Sequence, residues 1–164
     1  MTVYGRILLA GSGSAVLLIG ALAFQYLGGL APCPLCLWQR WPHVAALVIA
    51  GLAVTVLWRM RRPLSVLGCT AMAVGVGLGA YHVGVEQGWW PGPGTCSAPV
   101  PSAGTPSEFF DQLMVTPMVR CDEVVWSLLG LSMAGWNAVL SAALAAAWFW
   151  SAYAPWYEPE QAVD

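Results

Sequence analysis

The sequence has little charge and no lysine. Only 9% of its 164 residues are charged, the six basic residues are all arginine, and the net charge is −2. Soluble domains carry about 25% charged residues, and nucleic-acid-binding domains cluster their basic residues. The composition therefore argues against both of these classes. Hydrophobic residues make up 59% of the chain, which predicts a membrane protein.

Long hydrophobic runs take the place of the missing charge. Three runs exceed the roughly 20 residues that cross a bilayer as a helix, and the second of the four runs reaches this length if it begins near Pro34. We predict one all-α membrane domain over 1–164, an integral four-helix bundle with spans at 7–30, about 34–58, 64–85 and 124–153. The first run also resembles a secretory signal peptide, but it is longer than the roughly 7–15 residues of a signal core.

The arginines predict the orientation of this bundle. Four of the six lie on one side of it: Arg6, Arg59, Arg61 and Arg62. Positive charge marks the cytoplasmic side of a membrane protein. Both termini are therefore expected in the cytoplasm, and the loops at 31–42 and 86–123 are expected outside.

Four of the five cysteines fall in the two outer loops: Cys33, Cys36, Cys96 and Cys121. Disulfides persist outside the cytoplasm and are generally reduced within it. The fifth cysteine, Cys69, lies inside the third span and has no cysteine on its side of the membrane. We expect it to be a small apolar core residue.

The first outer loop carries a CxxC motif, Cys33-Pro34-Leu35-Cys36. If a helix begins at Pro34, Cys33 caps it and Cys36 lies in its first turn, where the helix dipole favours a thiolate. On a continuous helix Arg40 shares a face with Cys36 and stabilises that thiolate. A structural disulfide, half of a zinc site and an interfacial arginine are the alternatives. The zinc site lacks a second CxxC or paired histidines.

The second outer loop carries the other cysteine pair. Cys96 and Cys121 flank a stretch rich in proline and glycine, which predicts an extended, mobile loop. We expect a disulfide there to be accessible to an incoming thiolate. A disulfide that only restricts the loop explains the same residues.

The same loop contains a helix signal. The sequence Thr105-Pro106-Ser107-Glu108 has a capping threonine, a proline at the first helical position and a glutamate at the third. Apolar residues then recur at helical spacing, which predicts a short amphipathic helix lying on the membrane surface. A loop helix packed on the bundle is the alternative.

The third span carries two further signals. Gly75 and Gly79 form a GxxxG spacing, which predicts close packing against a neighbouring helix. His82 lies one turn before Glu86, near the outer end of this span. Its ring is expected to approach the CxxC motif or a bound cofactor, and an ordinary interfacial histidine is the alternative.

Taken in order, the segments CPLCLWQR and RCDEVVWSLLGLSMAGW and the loop cysteines resemble the disulfide bond formation protein B (DsbB) family. The resemblance covers most of the chain. It implies a thiol oxidase of the bacterial inner membrane that reoxidises a periplasmic thioredoxin-fold partner of the DsbA type. The electrons would pass to a membrane quinone, either ubiquinone or menaquinone, with no metal involved.

The resemblance also implies roles for the cysteines. Cys96 would take the mixed disulfide with the partner, and Cys121 would be its mate. Cys33 and Cys36 would pass two electrons to the quinone, with Cys36 facing it.

The resemblance implies a quinone-binding role for two further residues, Arg40 and His82. Where the family has a glutamate-like position before this arginine, the chain has Gln39.

Two other functions compete with this interpretation. A quinone reductase of the vitamin K epoxide reductase type also combines a four-helix membrane bundle with paired cysteines, but its CxxC motif is expected in the last helix. A non-catalytic membrane scaffold with disulfide-stapled loops predicts that neither disulfide turns over.

Overall fold

The fold is seen in a computed structural model, which describes residues 2–94, 96, 105, 107 and 119–153. Within these residues the helices are α1 (Val3–Tyr26), α2 (Pro34–Trp38), α3 (Arg40–Val54), a 3-10 turn (Trp58–Met60), α4 (Arg61–Glu86) and α5 (Met133–Tyr153). A short hairpin, β1 (Ser127–Leu128) and β2 (Leu131–Ser132), precedes α5. Of the amphipathic helix predicted from Thr105, all but Thr105 and Ser107 lies outside the described residues.

Four helices form the bundle. The most extensive contact joins α4 to α5, and contacts of α1 with α3, α3 with α4 and α1 with α5 close the arrangement. Helices α1, α4 and α5 are each long and apolar enough to cross a membrane. The fourth, α3, has 15 residues, or about 22 Å of helix. This architecture confirms the predicted all-α membrane fold.

The outer surface of the bundle is apolar. Large hydrophobic side chains that are more than half exposed occur on all four of its helices, among them Val16, Ile19, Val48, Val74 and Phe149. Soluble monomers rarely expose contiguous apolar surface on this scale. In a membrane protein such side chains face the hydrocarbon of the bilayer, where a helix satisfies its backbone hydrogen bonds internally.

The second predicted span is broken near its start. Helix α2 begins at Pro34 with Cys33 as its cap, which confirms the predicted start. It ends at Trp38, and α3 begins at Arg40. Pro42 has no N–H group to donate to the carbonyl four residues earlier, so the helix cannot continue regularly through this turn. The continuous helix expected between Cys36 and Arg40 is therefore wrong.

The last predicted run, 124–153, is helical only from Met133. Leu129 and Gly130 adopt left-handed backbone conformations, with φ of 53° and 81°. Two such residues in succession form the kind of tight turn that joins antiparallel strands, so the chain makes a hairpin here. The Ser132 hydroxyl donates to the Glu86 carboxylate and ties this hairpin to the outer end of α4.

Small residues set the distance between α4 and α5. A Cβ atom at Gly79 would lie 2.9 Å from the Cβ of Ala138, and one at Gly75 would lie 3.2 Å from the Ser141 hydroxyl. The GxxxG prediction is confirmed. Cys69 lies nearer the start of α4. It is partly buried and packs against the main hydrophobic core, as predicted.

The glycine contact can be tested by substitution. We expect Gly79→Leu to lower the free energy of unfolding by about 1–3 kcal/mol, because the new side chain overlaps Ala138. Gly77→Leu is the matched control, since Gly77 is exposed on the same helix and a Cβ there meets no atom within 4 Å. Thermal unfolding in detergent micelles, followed by circular dichroism, measures the difference. Equal stability of the two variants would contradict the close contact.

Candidate active site

The CxxC motif lies at the start of α2, just before the spanning helix α3. The Cys33 sulfur accepts a hydrogen bond from the Cys36 backbone N–H at 3.2 Å and so caps the helix. The sulfur atoms of Cys33 and Cys36 lie 2.8 Å apart. Pro34 between them occupies the first turn, where its missing N–H group is not needed. The local sequence thus brings both sulfurs together at one helix end.

The two sulfurs of this motif differ in acidity. A hydrogen bond from the Cys33 thiol lowers the pKa of Cys36 from its ordinary 9.0 to about 7, and the charge of Arg40 adds to this while burial opposes it. The same hydrogen bond, together with burial, raises the pKa of Cys33. Near neutral pH the reduced motif therefore holds a thiol at Cys33 and a substantial fraction of thiolate at Cys36.

Cys96 and Cys121 form a disulfide. The Cys121 N–H also donates to the Cys96 carbonyl at 2.8 Å. Both residues are 0% exposed. The expectation of an accessible loop disulfide is therefore wrong for this conformation, because the pair packs into an apolar cluster with Leu35 and Val85 instead of projecting into water.

The two cysteine pairs meet in this cluster. The sulfurs of Cys33 and Cys121 and a ring nitrogen of His82 all lie within 4.8 Å of one another. A Cys-His-Cys set is also found in zinc sites. Here, however, Cys121 is bonded to Cys96, and a disulfide sulfur is not a thiolate ligand. The arrangement suits thiol–disulfide exchange between the pairs.

His82 lies behind the CxxC motif and is buried. Its Nδ1 is 2.6 Å from the Gln39 side-chain nitrogen, and its Nε2 is 3.7 Å from the Cys33 sulfur. With Gln39 donating to Nδ1, the proton of a neutral ring lies on Nε2 and faces Cys33. The backbone of Cys121 also hydrogen-bonds to the ring. The alternative of an ordinary interfacial histidine does not describe this position.

Arg40 reaches the same region from the first residue of α3. Its Nη1 donates a hydrogen bond of 2.7 Å to the Gln25 side-chain oxygen on α1. Despite the break at Gln39, Cys36 and Arg40 line one cavity. The shared helical face is therefore absent, and it is the cavity that brings both side chains to the same region.

This cavity lies between α1, α3, α4 and α5. Its walls are mainly apolar, with Leu17, Phe24, Leu30 and Met133 among them. Six polar or thiol-bearing side chains interrupt these walls: Cys36, Gln39, Arg40, His43, His82 and Asn137. The cavity itself measures about 80 Å³. Its lining, apolar with a few convergent polar groups, is typical of small-molecule sites.

His43 and Asn137 are not among the site residues predicted from the sequence, and no role is predicted for Gln39. A signal for the first two was present, because polar residues within membrane spans are rare and commonly functional. No motif marked the role of Gln39, since a glutamine beside an arginine at a membrane surface has many explanations. Its contact with His82 joins residues 43 positions apart.

Comparison with known proteins identifies the family. A sequence profile of the family described as disulfide bond formation protein DsbB matches residues 5–151. The chain is 35% identical over 133 residues to disulfide bond formation protein B of Albidiferax ferrireducens, covering 74% of each chain. It is 34% identical over 137 residues to the Xanthomonas oryzae pv. oryzae protein of the same name, covering 80% of this chain and 79% of the relative.

A third relative is disulfide bond formation protein B 2 of Pseudomonas aeruginosa, which is 33% identical over 135 residues, or 78% of each chain. The four-helix bundle and the paired cysteines agree with these matches. The chain therefore belongs to the DsbB family and is a multi-pass membrane oxidoreductase of disulfide bond formation.

Proposed function

We propose that this protein oxidises the dithiol of a periplasmic thioredoxin-fold partner of the DsbA type and passes the electrons to a membrane quinone. The observation that carries the proposal is the contact between the two cysteine pairs, with the sulfurs of Cys33 and Cys121 within 4.8 Å. At this distance a thiolate released from one pair can attack the disulfide of the other without large movement of the backbone. A scaffold stapled by two independent disulfides has no need of such a contact.

The exchange begins at the loop disulfide. A partner thiolate attacks the Cys96 sulfur, which forms a mixed disulfide and releases Cys121 as a thiolate. Cys121 then attacks Cys33 in the oxidised CxxC motif, which forms a Cys33–Cys121 disulfide and releases Cys36. The low pKa of Cys36 makes it the better leaving group of the motif. Electrons thus move inward from the loop to the cavity.

The second half of the exchange restores the loop disulfide. The other partner thiol attacks its own mixed disulfide, releasing oxidised partner and the Cys96 thiolate. Cys96 then attacks Cys121 and releases Cys33. The result is an oxidised partner, a Cys96–Cys121 disulfide and a reduced CxxC motif that holds the two electrons and two protons.

Burial of the loop disulfide limits which thiols can start this sequence. Both of its cysteines are buried, so an attacking thiolate reaches Cys96 only when the surrounding segment opens. A partner that binds the opened segment supplies free energy for this step. The arrangement favours a specific protein partner over small thiols.

The lining of the cavity beside Cys36 suits a quinone. Its apolar walls suit a ring and an isoprenoid tail, and Arg40 supplies charged hydrogen-bond donors for a ring oxygen. A bound quinone supplies a two-electron, two-proton acceptor. Gln25 holds the Arg40 guanidinium at the cavity, where its charge favours the Cys36 thiolate.

The direction of transfer supports an inner-membrane location. The cysteine pairs lie at the end of the bundle opposite the arginine-rich turn around the 3-10 segment, Trp58–Met60. By the positive-inside rule that turn and both termini are cytoplasmic, and the cysteines face the periplasm. Soluble periplasmic partners and membrane quinones can both reach the protein in this orientation.

Quinone reduction tests the proposed function directly. Purified protein with a reduced DsbA-type partner is expected to reduce a short-chain ubiquinone or menaquinone, and Cys33→Ser to lose at least about 100-fold in rate because it cannot accept electrons from Cys121. Cys69→Ser is the matched control and should keep the wild-type rate. Quinone reduction by Cys33→Ser at the wild-type rate would refute the relay.

The contact between the pairs predicts a trapped disulfide. In a Cys36→Ser, Cys96→Ser variant, Cys33 and Cys121 are left without their usual mates, and we expect them to form a disulfide on mild oxidation because their sulfurs lie within 4.8 Å. Peptide mass spectrometry identifies the bond. The comparison variant Cys33→Ser, Cys96→Ser leaves Cys36 and Cys121 and should form less of it. The opposite preference would contradict the proposed order of exchange.

The acidity of Cys36 is a separate prediction. In a variant that keeps only Cys33 and Cys36, reduced, the alkylation of Cys36 by iodoacetamide should rise with pH around a midpoint near 7, since its pKa is lowered. Replacing Cys33 by alanine removes the main hydrogen bond, and the midpoint should move up towards 9.0. An unchanged midpoint would show that Cys33 does not stabilise the thiolate.

A further inference from the structure

Inside the bundle lies a group of polar side chains that the cysteine relay does not use. It consists of His43 on α3 and of Asn137 and Ser141, one turn apart on α5. His43 is only 2% exposed, and Ser141 is fully buried. Polar side chains are costly in a membrane interior and commonly mark functional positions there.

The hydrogen bonds of this group have a direction. The Ser141 hydroxyl donates to the Asn137 side-chain oxygen at 3.5 Å, and His43 Nε2 lies 3.5 Å from the Ser141 oxygen and 3.3 Å from the Asn137 nitrogen. The Asn137 nitrogen is the nearer of the two and an amide nitrogen only donates, so Nε2 of the neutral ring is assigned as the acceptor. The single proton of the ring is then on Nδ1.

That proton has no acceptor in the described part of the chain. His43 Nδ1 is a buried atom without a hydrogen-bond partner there. Buried donors in folded proteins are nearly always paired, so an unpaired one calls for an explanation. A ligand that brings an acceptor atom would complete the network.

The position of His43 indicates which ligand this is. His43 and Asn137 line the same cavity as Cys36 and Arg40. On α3, His43 follows Arg40 by three residues, so the two side chains lie on one helix face about one turn apart. The cavity therefore offers donors at two separate places. A para-quinone has two carbonyl oxygens, on opposite sides of its ring.

We infer that His43 donates a hydrogen bond from Nδ1 to one ring oxygen of a benzoquinone or naphthoquinone, while Arg40 donates a hydrogen bond to the other ring oxygen. Asn137 and Ser141 are positioning residues that hold the proton on Nδ1. The inference rests on the proposed function, because it concerns the same cavity. It adds a second anchor that fixes the orientation of the ring beside Cys36.

Isosteric variants of His43 test whether a hydrogen-bond donor at Nδ1 is required or whether any polar side chain is enough. An asparagine nitrogen at this position approximates Nδ1, whereas a glutamine nitrogen approximates Nε2. Binding of a short-chain ubiquinone to the oxidised protein in detergent, without any reductant, is measured by quenching of tryptophan fluorescence. We expect His43→Leu and His43→Gln to weaken binding by about fivefold to tenfold and His43→Asn to stay within about twofold of the wild type.

Infrared spectroscopy reports the hydrogen bond to the quinone carbonyl itself, which would not change if His43 had only a structural role. With a quinone carrying ¹³C at one carbonyl, a hydrogen bond lowers the stretching frequency of that carbonyl. The wild type and His43→Asn should share the lowered frequency, and His43→Leu and His43→Gln should lose it. Asn137→Asp offers an acceptor to Nε2, moves the proton to that atom and should behave like His43→Gln.

The outcomes distinguish this inference from the proposed function. If the wild type neither binds nor reduces quinone, the proposed function itself is refuted. If the wild type does both, and all His43 variants match it in affinity and carbonyl frequency, only the role of His43 is overturned. Should His43→Leu fail to fold, the comparison of His43→Asn with His43→Gln still decides, because equal behaviour of these two refutes a donor at Nδ1.

Discussion

The burial of both cysteine pairs in one cluster is the constraint on which the rest of the site depends. Disulfide exchange requires the reacting sulfurs to come into contact, so a relay from an outer loop to a membrane cavity works only if the loop sulfur reaches the CxxC motif. Here Cys121 and Cys33 share a cluster with Leu35 and Val85. Apolar burial, rather than a covalent bond, holds the two pairs together.

The position of this cluster depends on the close approach of helices α4 and α5. Glycines let α4 come near α5, and the bond from Ser132 to Glu86 ties the hairpin to the outer end of α4. The segment carrying Cys121 immediately precedes that hairpin. Helix packing inside the membrane therefore determines where the outer disulfide lies.

The arginine and the two histidines of the cavity share a pattern, because each of the three is paired with a neutral side-chain amide. Gln25 accepts from Arg40, Gln39 contacts His82, and Asn137 contacts His43. An amide orients its partner without adding a second charge, and burying a charge is far more costly than burying an amide.

The amide pattern also bears on the proposed chemistry. A neutral histidine with a defined tautomer presents a donor at one ring nitrogen only. Gln39 thus directs the His82 proton towards the Cys33 sulfur. A carboxylate at position 39 would instead place a negative charge beside the motif.

Much of this could be predicted from the residues alone. Runs of apolar residues predicted the helical membrane bundle, and the CxxC motif with proline at its second position predicted a helix start capped by Cys33. Hydrophobicity and capping depend on neighbours in the chain, so sequence patterns report them directly. The GxxxG spacing predicted the helix contact for the same reason.

Other features required the tertiary structure. The break at Gln39, the hairpin before α5 and the burial of Cys96 and Cys121 all depend on what packs against those segments. The contact of Cys121 with Cys33 and the network of His43 join residues that are 88 and 94 or more positions apart in the chain. The sequence by itself determined which chemical groups this protein has and that they lie in a membrane. Only the tertiary structure decided which of them meet, because that depends on distances between helices that no local pattern encodes.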